Sequence, residues 1–144
     1  MLILDLRGNT GGSLRSATAL RDRFLRRRTR LGSIAFTTGT GNLADPVPLT
    51  AQPSESTRWP GPLTVLVVAM TYSAAEDFLL GLHGLDHVTV LGEPTGGGSG
   101  RPRTLTITPN LTLTISTALT YDRQQRCIEY NGLPVDGSAT ALRT

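Results

Sequence analysis

The strongest constraint on this chain is an apolar strand that breaks into a glycine-rich turn and then into a helix. Leu2-Ile3-Leu4-Asp5-Leu6 reads as a short, fully buried strand, and Arg7-Gly8-Asn9-Thr10-Gly11-Gly12 follows it directly. Glycines 8, 11 and 12 allow positive φ values and a close approach of backbone to ligand, and the free N–H groups of the following helix start point at negative charge. Such a turn is built to hold an anion, and one use of it is an oxyanion hole. A second run, Thr71-Tyr72-Ser73-Ala74-Ala75-Glu76, follows another apolar strand in the same way and puts a serine at the strand-to-helix corner. Ser73 is therefore a candidate nucleophile.

Between and beyond these runs the pattern is strand, helix, strand, helix, which argues for an α/β fold with a parallel sheet. Ser13 to Arg28 reads as a helix with Leu14, Ala17, Leu20 or Arg21, and Phe24 at helical spacing, and residues 33–37 form a weaker strand. Gly39 to Pro62 is rich in Gly, Pro, Ser and Thr and reads as a long excursion. Leu63 to Met70 is the clearest central strand, Ala74 to Leu85 the second helix, and Val88 to Leu91 the next strand. Gly92 to Gly100 is a second glycine-rich loop, predicted to be mobile because little apolar side chain is present to fix it. Thr104–Thr108 and Leu111–Ile115 alternate strictly about Pro109-Asn110, a hairpin signature. A last strand is predicted around Cys127-Ile128-Glu129.

At 144 residues the chain fits one domain. All fourteen of its basic residues are arginine, so a serine–lysine dyad has no amine to draw on. The cluster Arg21, Arg23, Arg26, Arg27, Arg28 and Arg30 invites a nucleic-acid reading, but no aromatic residues interleave with it. The expectation is a solvated helix end, and no nucleic-acid partner. The single cysteine, Cys127, excludes an internal disulfide and a cysteine-based metal site. No metal or cofactor is implied. No apolar run approaches the ~20 residues of a membrane span, and Met1 leads straight into a strand with no signal peptide before it. The compartment follows the chain's extent: cytoplasmic if it is complete, extracytoplasmic if a longer precursor carries a signal. A homo-oligomer is compatible with the sequence.

Each candidate residue has a plainer role to set beside the chemical one. Ser73 suits an N-cap, with Glu76 completing a capping box. The backbone N–H groups of Gly12 and Ala74 are the candidate oxyanion donors, with Gly11 the near alternative to Gly12. Asp5, Arg7 and Asn9 read as turn-fixing residues, Asp5 pairing Arg7. Gly11, Gly96 and Gly97 are candidate substrate-binding positions, the glycine loop shaping one wall of a cleft. His83 and His87 lie ten and fourteen residues after Ser73, ~15 Å or more away by helical rise, and cannot serve it as a base.

Four runs in this order resemble the serine proteases of the C-terminal-processing (tail-specific) family, and in particular its tricorn and interphotoreceptor retinoid-binding-protein branch. They are Asp5-Leu6-Arg7-Gly8-Asn9-Thr10-Gly11-Gly12, Thr71 to Glu76, Gly92-Glu93-Pro94-Thr95-Gly96-Gly97, and Glu129-Tyr130-Asn131-Gly132-Leu133-Pro134-Val135-Asp136. The resemblance implies the β-β-α spiral core of the Clp protease and crotonase type, a parallel sheet flanked by helices with a β-hairpin toward the C-terminus. It also implies a serine endopeptidase acting on a polypeptide, near its C-terminus or in an extended segment. Glu129 matches the carboxylate that orients the catalytic machinery in that branch. The branch's histidine base sits upstream of the Asp-Leu-Arg-Gly-Asn run, so residues 1–144 are expected to be a catalytic core without its upstream segment and inactive alone. The alternatives are a ligand- or peptide-binding relative that does not cut, and a crotonase-like acyl-CoA enzyme, which has no need of a serine at the helix corner.

Overall fold

The computed structural model describes residues 1–138. Its centre is a three-stranded parallel sheet in the order β1 (Leu2–Asp5), β5 (Leu63–Val67), β6 (Val88–Gly92). Leu2 pairs with Leu63 and Asp5 with Leu66, while Leu63 pairs with Val88 and Val67 with Gly92. This register brings the carboxyl ends of all three strands to one edge, where open α/β sheets place their ligands. The turn at residues 6–12, the Ser73 corner and the glycine loop after Gly92 leave from those three ends.

Two helices cover the sheet, α1 (Leu14–Arg21) and α2 (Ala74–Leu80). Val65, Val67, Leu79 and Leu82 are completely buried between the layers, and Phe24 meets Phe78 edge to face with ring centroids 5.9 Å apart. Both helices are shorter than the apolar spacing suggests. The Ser13 hydroxyl caps α1 on the Ser16 N–H, but after Arg21 the bonding tightens to i→i−3, Arg23 to Leu20 and Phe24 to Arg21. The residues beyond form a turn that carries Phe24 and Leu25 into the core. α2 stops at Gly81, and its apolar run continues through a turn in which the Leu82 N–H bonds to Leu79 O.

A second, antiparallel sheet is built on β2 (Thr29–Gly39), which pairs with β3 (Asn42–Leu43), β4 (Val47–Ala51) and β9 (Ala118–Tyr121). The segment read as a long excursion therefore folds back as β3 and β4. Pro48 is accommodated because β4 pairs on one side only. β1 departs from expectation in the other direction: it is an edge strand, with Leu2 and Ile3 exposed. The expected strand around Cys127 reduces to a single bridge with Tyr121. The hairpin forms as predicted, β7 (Arg103–Thr108) with β8 (Leu111–Ile115), Thr104 opposite Thr114 and Thr106 opposite Thr112 on one face, Leu105 opposite Leu113 on the other, and a register shift before Thr108. Among the described residues no helix is long and apolar enough to cross a membrane.

Half of the arginine cluster is structural, while Arg27, Arg28 and Arg30 are exposed. Arg21 is buried and pairs with Asp22 at 2.8 Å. Arg23 and Arg26 donate to the carbonyls of Thr57 and Pro60 and pin the segment leading into β5.

Candidate active site

Ser73 sits on the sharp corner between β5 and α2 with φ 56° and ψ −123°, a conformation suited to glycine. The segment before it is anchored: the buried Thr71 hydroxyl donates to Leu6 O at 2.9 Å and accepts from the Val68 N–H, and the Tyr72 N–H bonds to Asn9 O. The first glycine turn is thereby tied to the serine corner. Gly11 packs so closely there that a Cβ on it would lie 2.7 Å from Ser73 Cβ and 2.9 Å from Ala74 N. An oxyanion assignment requires this contact, and only glycine permits it.

The free donors of the turn are selective. The Gly11 N–H is engaged by the Asn9 side chain at 3.0 Å. Gly12, at φ 139°, has open space beside it, and its N–H and that of Ala74 bond to no acceptor among the described residues. Gly12, not Gly11, is therefore the donor available to pair with Ala74. Asp5 and Arg7 form the expected pair at 2.7 Å, and the bonds from Arg7 hold the Asp5 carboxyl down at about 2.

Ser73 and Glu76 form the expected capping box. Glu76 accepts from the Ser73 backbone N–H at 2.9 Å, and the Ser73 hydroxyl faces the Glu76 backbone without a cap hydrogen bond of full geometry. Glu76 does more than a capping residue: it is fully buried and its carboxylate also takes the Thr95 hydroxyl at 2.6 Å and the N–H groups of Gly97 and Gly98 at 2.7 Å. Thr95 Oγ1 in turn accepts from the Leu133 N–H, and the Tyr130 N–H donates to Gly97 O. The glycine loop, expected to be loose, is held from inside by one carboxylate. The N–H groups of Gly96 and Gly97 are engaged within the protein, on Thr71 O and Glu76. The Tyr72 ring packs against Gly96 and Gly98, where any side chain would overlap it.

This lattice carries Glu129 to the serine. A cavity of about 270 Å³ is lined by Ser73, Tyr72, Gly100, Thr114, Ser116 and Glu129, among others. Glu129 Oε1 accepts from the Ser116 hydroxyl at 2.6 Å. Its Oε2 is buried without any hydrogen-bond partner. Orphaned carboxylate oxygens are costly to bury and mark a place where a donor belongs. Sequence reasoning missed Ser116, whose only signal is its place at the end of a hairpin strand, and it undervalued Glu76.

Neither histidine enters this cavity. His87 is held between Asp86 and the Phe24 carbonyl. His83 lies 3.6 Å from Asp136, yet burial outweighs that carboxylate and lowers its pKa below 6.5. The unfolded chain thus binds a proton that folded His83 refuses, so this residue's contribution to stability is intact above pH ~6.5 and declines as the pH falls below it. His83→Gln is expected to flatten the loss of stability between about pH 6.5 and 5, measured by denaturant unfolding at each pH. An unchanged pH profile would contradict this.

The Ser73 backbone gives a second expectation. A residue other than glycine held at such a φ costs ~1–3 kcal/mol, so Ser73→Gly should be more stable than Ser73→Ala by about 1 kcal/mol or more, read from their urea midpoints. Equal midpoints would mean that the corner is unstrained.

The same architecture recurs among solved structures. A candidate peptidase from Parabacteroides merdae ATCC 43184 is 34% identical with a TM-score of 0.87, over 96% of this chain and 44% of its own. Mature CPAF in complex with lactacystin matches at 18% identity and a TM-score of 0.84, over 95% of this chain and 39% of its own. The photosystem II D1 C-terminal processing protease matches at 23% and 0.73, over 95% and 34%. The chain thus spans less than half the length of these three structures. No curated protein sequence is detectably similar to it. The model of peptidase family S41 matches residues 1–138, and with the three strand-end loops, the strained serine corner and the S41-type fold it places this chain in peptidase family S41.

Proposed function

We propose that this chain is the nucleophile-bearing core of a serine endopeptidase that cleaves polypeptides in an extended segment or near their C-termini. The observation that carries the reading is convergence: a serine hydroxyl making no cap hydrogen bond, the free Ala74 N–H next to it, the Gly11-Gly12 turn packed on both through Gly11, and a carboxylate with one orphaned buried oxygen share one end of the sheet. Ser73 Oγ attacks the scissile carbonyl. The N–H groups of Gly12 and Ala74 receive the developing oxyanion, each donor worth roughly 2.7–4 kcal/mol in acyl transfer. Glu129 orients the general base through Oε2, the role its place in the family pattern supports. The resemblance to the tricorn-like branch implies a histidine base carried on a segment upstream of the Asp5–Gly12 run, and neither histidine here reaches Ser73. That same absence favours one competing reading, a peptide-binding relative that does not cut.

A peptide boronic acid separates the two without needing the base. The Ser73 Oγ–boron bond forms as the hydroxyl proton leaves to water, and the tetrahedral boronate sets an oxygen on the two N–H groups. Ser73-dependent boronate binding is expected by calorimetry, lost in Ser73→Ala, while the 144 residues alone show no appreciable peptide turnover. Supplying a histidine-bearing upstream segment, in cis or as a separate chain, should restore turnover that Ser73→Ala abolishes. Removal of one triad member from a well-studied serine protease leaves ~10³–10⁴-fold catalysis over water, which sets the expected floor. Boronate binding indifferent to Ser73→Ala would favour the binding module. Robust Ser73-dependent cleavage by the isolated chain would place the base among the residues already present.

A further inference from the structure

The edge of the sheet opposite Ser73 carries a second surface. There the Leu63 N–H bonds to His87 O and the Leu2 N–H to Pro62 O, so the segments leading into β5 and β6 meet at the amino ends of the strands. A hollow of about 460 Å³ lies against them, lined by Leu25, Arg26, Arg58, Trp59 and Pro60. A smaller one of about 200 Å³, lined by Arg27, Leu85, Asp86 and His87 among others, adjoins it through Arg26. We infer that these hollows form a docking site, separate from the serine corner, for an acidic polypeptide segment that anchors an apolar side chain against Trp59.

Trp59 joins the arginine cluster from a distant part of the chain and is fixed in place there. Its backbone N–H bonds to Arg23 O at 2.9 Å and its Nε1–H to Pro62 O at 3.1 Å. Gly61 packs on the ring, where a Cβ would lie 3.0 Å from it. Both donors of the residue are thus spent within the protein, yet the side chain stays on the surface, 36% exposed. A rigid aromatic surface is covered at little cost in conformational entropy, which is why Trp and Arg are enriched among the anchors of protein interfaces. Leu25 and Pro60 continue the apolar surface beside it. The hollow therefore takes an apolar side chain.

The rim selects the charge around that side chain. Arg27 and Arg58 are exposed and make no hydrogen bond or ion pair through their side chains among the described residues. Arg26 is steadied by Pro60 O at 2.9 Å and stands 3.7 Å from Asp86. Asp86 is the only carboxylate lining either hollow, and His87 already engages it at 3.0 Å. Guanidinium groups match carboxylates in paired hydrogen bonds and shed their hydration readily. A basic segment would meet like charge here. A single-stranded nucleic acid would find its phosphates matched, but grooves for such strands stack successive bases on several aromatic rings, and the larger hollow offers one. An acidic peptide with one apolar side chain uses both the rim and the floor.

The test reads Trp59, the single tryptophan of the chain. The 144-residue chain is titrated with the capped peptides Asp-Glu-Phe-Glu-Asp, Asp-Glu-Gly-Glu-Asp and Lys-Lys-Phe-Lys-Lys, and with a single-stranded oligothymidylate, following tryptophan emission and calorimetric heat. The phenylalanine-bearing acidic peptide is expected to shift Trp59 emission to shorter wavelength, to bind at least ~10-fold tighter than the other two peptides, and to weaken as salt rises. Arg27→Glu together with Arg58→Glu should weaken it at least ~10-fold more, since like charge then faces like. Arg27→Gln with Arg58→Gln gives the same direction if the charge-reversed variant folds poorly, and Ser73→Ala should leave the affinity unchanged. An unmoved Trp59 spectrum, equal binding of the glycine or lysine peptide, affinity that survives the arginine substitutions, or a loss in Ser73→Ala overturns the site. Tighter binding of the oligothymidylate than of the acidic peptide overturns it in favour of a nucleic-acid surface.

Discussion

The carboxylate of Glu76 is the interaction on which the rest of the site depends. It is fully buried and accepts four hydrogen bonds, from the Ser73 backbone, the Thr95 hydroxyl and the N–H groups of Gly97 and Gly98. An ionised carboxylate can be held away from water only when its lone pairs are met, and charge-assisted bonds of this kind are stronger than neutral ones. The arrangement works in both directions. The donors stabilise the charge, and the charge fixes the loop at 95–98, which has little apolar side chain of its own to hold it. Through Thr95 and Gly97 the same lattice reaches Leu133 and Tyr130, and so the segment that carries Glu129.

That rigidity explains how Ser73 is kept in a backbone conformation that would otherwise relax. Strained φ values persist where the surroundings over-determine them. Here the corner is held from three sides: the Glu76 carboxylate on the Ser73 N–H, the Asn9 carbonyl on the Tyr72 N–H, and Gly11 in direct contact with Ser73 and Ala74. The Ser73 hydroxyl makes no cap hydrogen bond, and Ser73 borders the cavity it shares with Glu129. Asp77, the next residue along α2, adds a bidentate pair with Arg101 at 2.7 and 2.8 Å and ties the far end of the glycine loop to the same helix.

Much of this was legible where chemistry is local. The Thr/Leu alternation about Pro109-Asn110 yields the hairpin, and the apolar runs at 63–70 and 88–91 yield β5 and β6. The glycine turn and the serine corner stand out as motifs, and the parallel register explains why they meet. Glu76 was legible only as a local capping residue, because its other partners lie 19 to 22 residues away and include two backbone amides that no side-chain pattern announces. The bonds that anchor residues 95–98 were hidden for the same reason. The exposure of β1 was hidden because Leu-Ile-Leu reads as buried whichever side of a sheet it lies on, and β4 was hidden by a proline that an edge strand tolerates.

One buried carboxylate organises the serine corner, the glycine loop and the Glu129 segment as a unit. Amide hydrogen exchange of Glu76→Gln against the unsubstituted chain tests it most directly, since Gln turns one acceptor into a donor facing N–H groups. Protection is expected to fall together at Ser73, Gly97, Gly98, Tyr130 and Leu133, while β5 and β6 keep theirs. Loss confined to the Ser73 corner, with Tyr130 and Leu133 as protected as before, would contradict it.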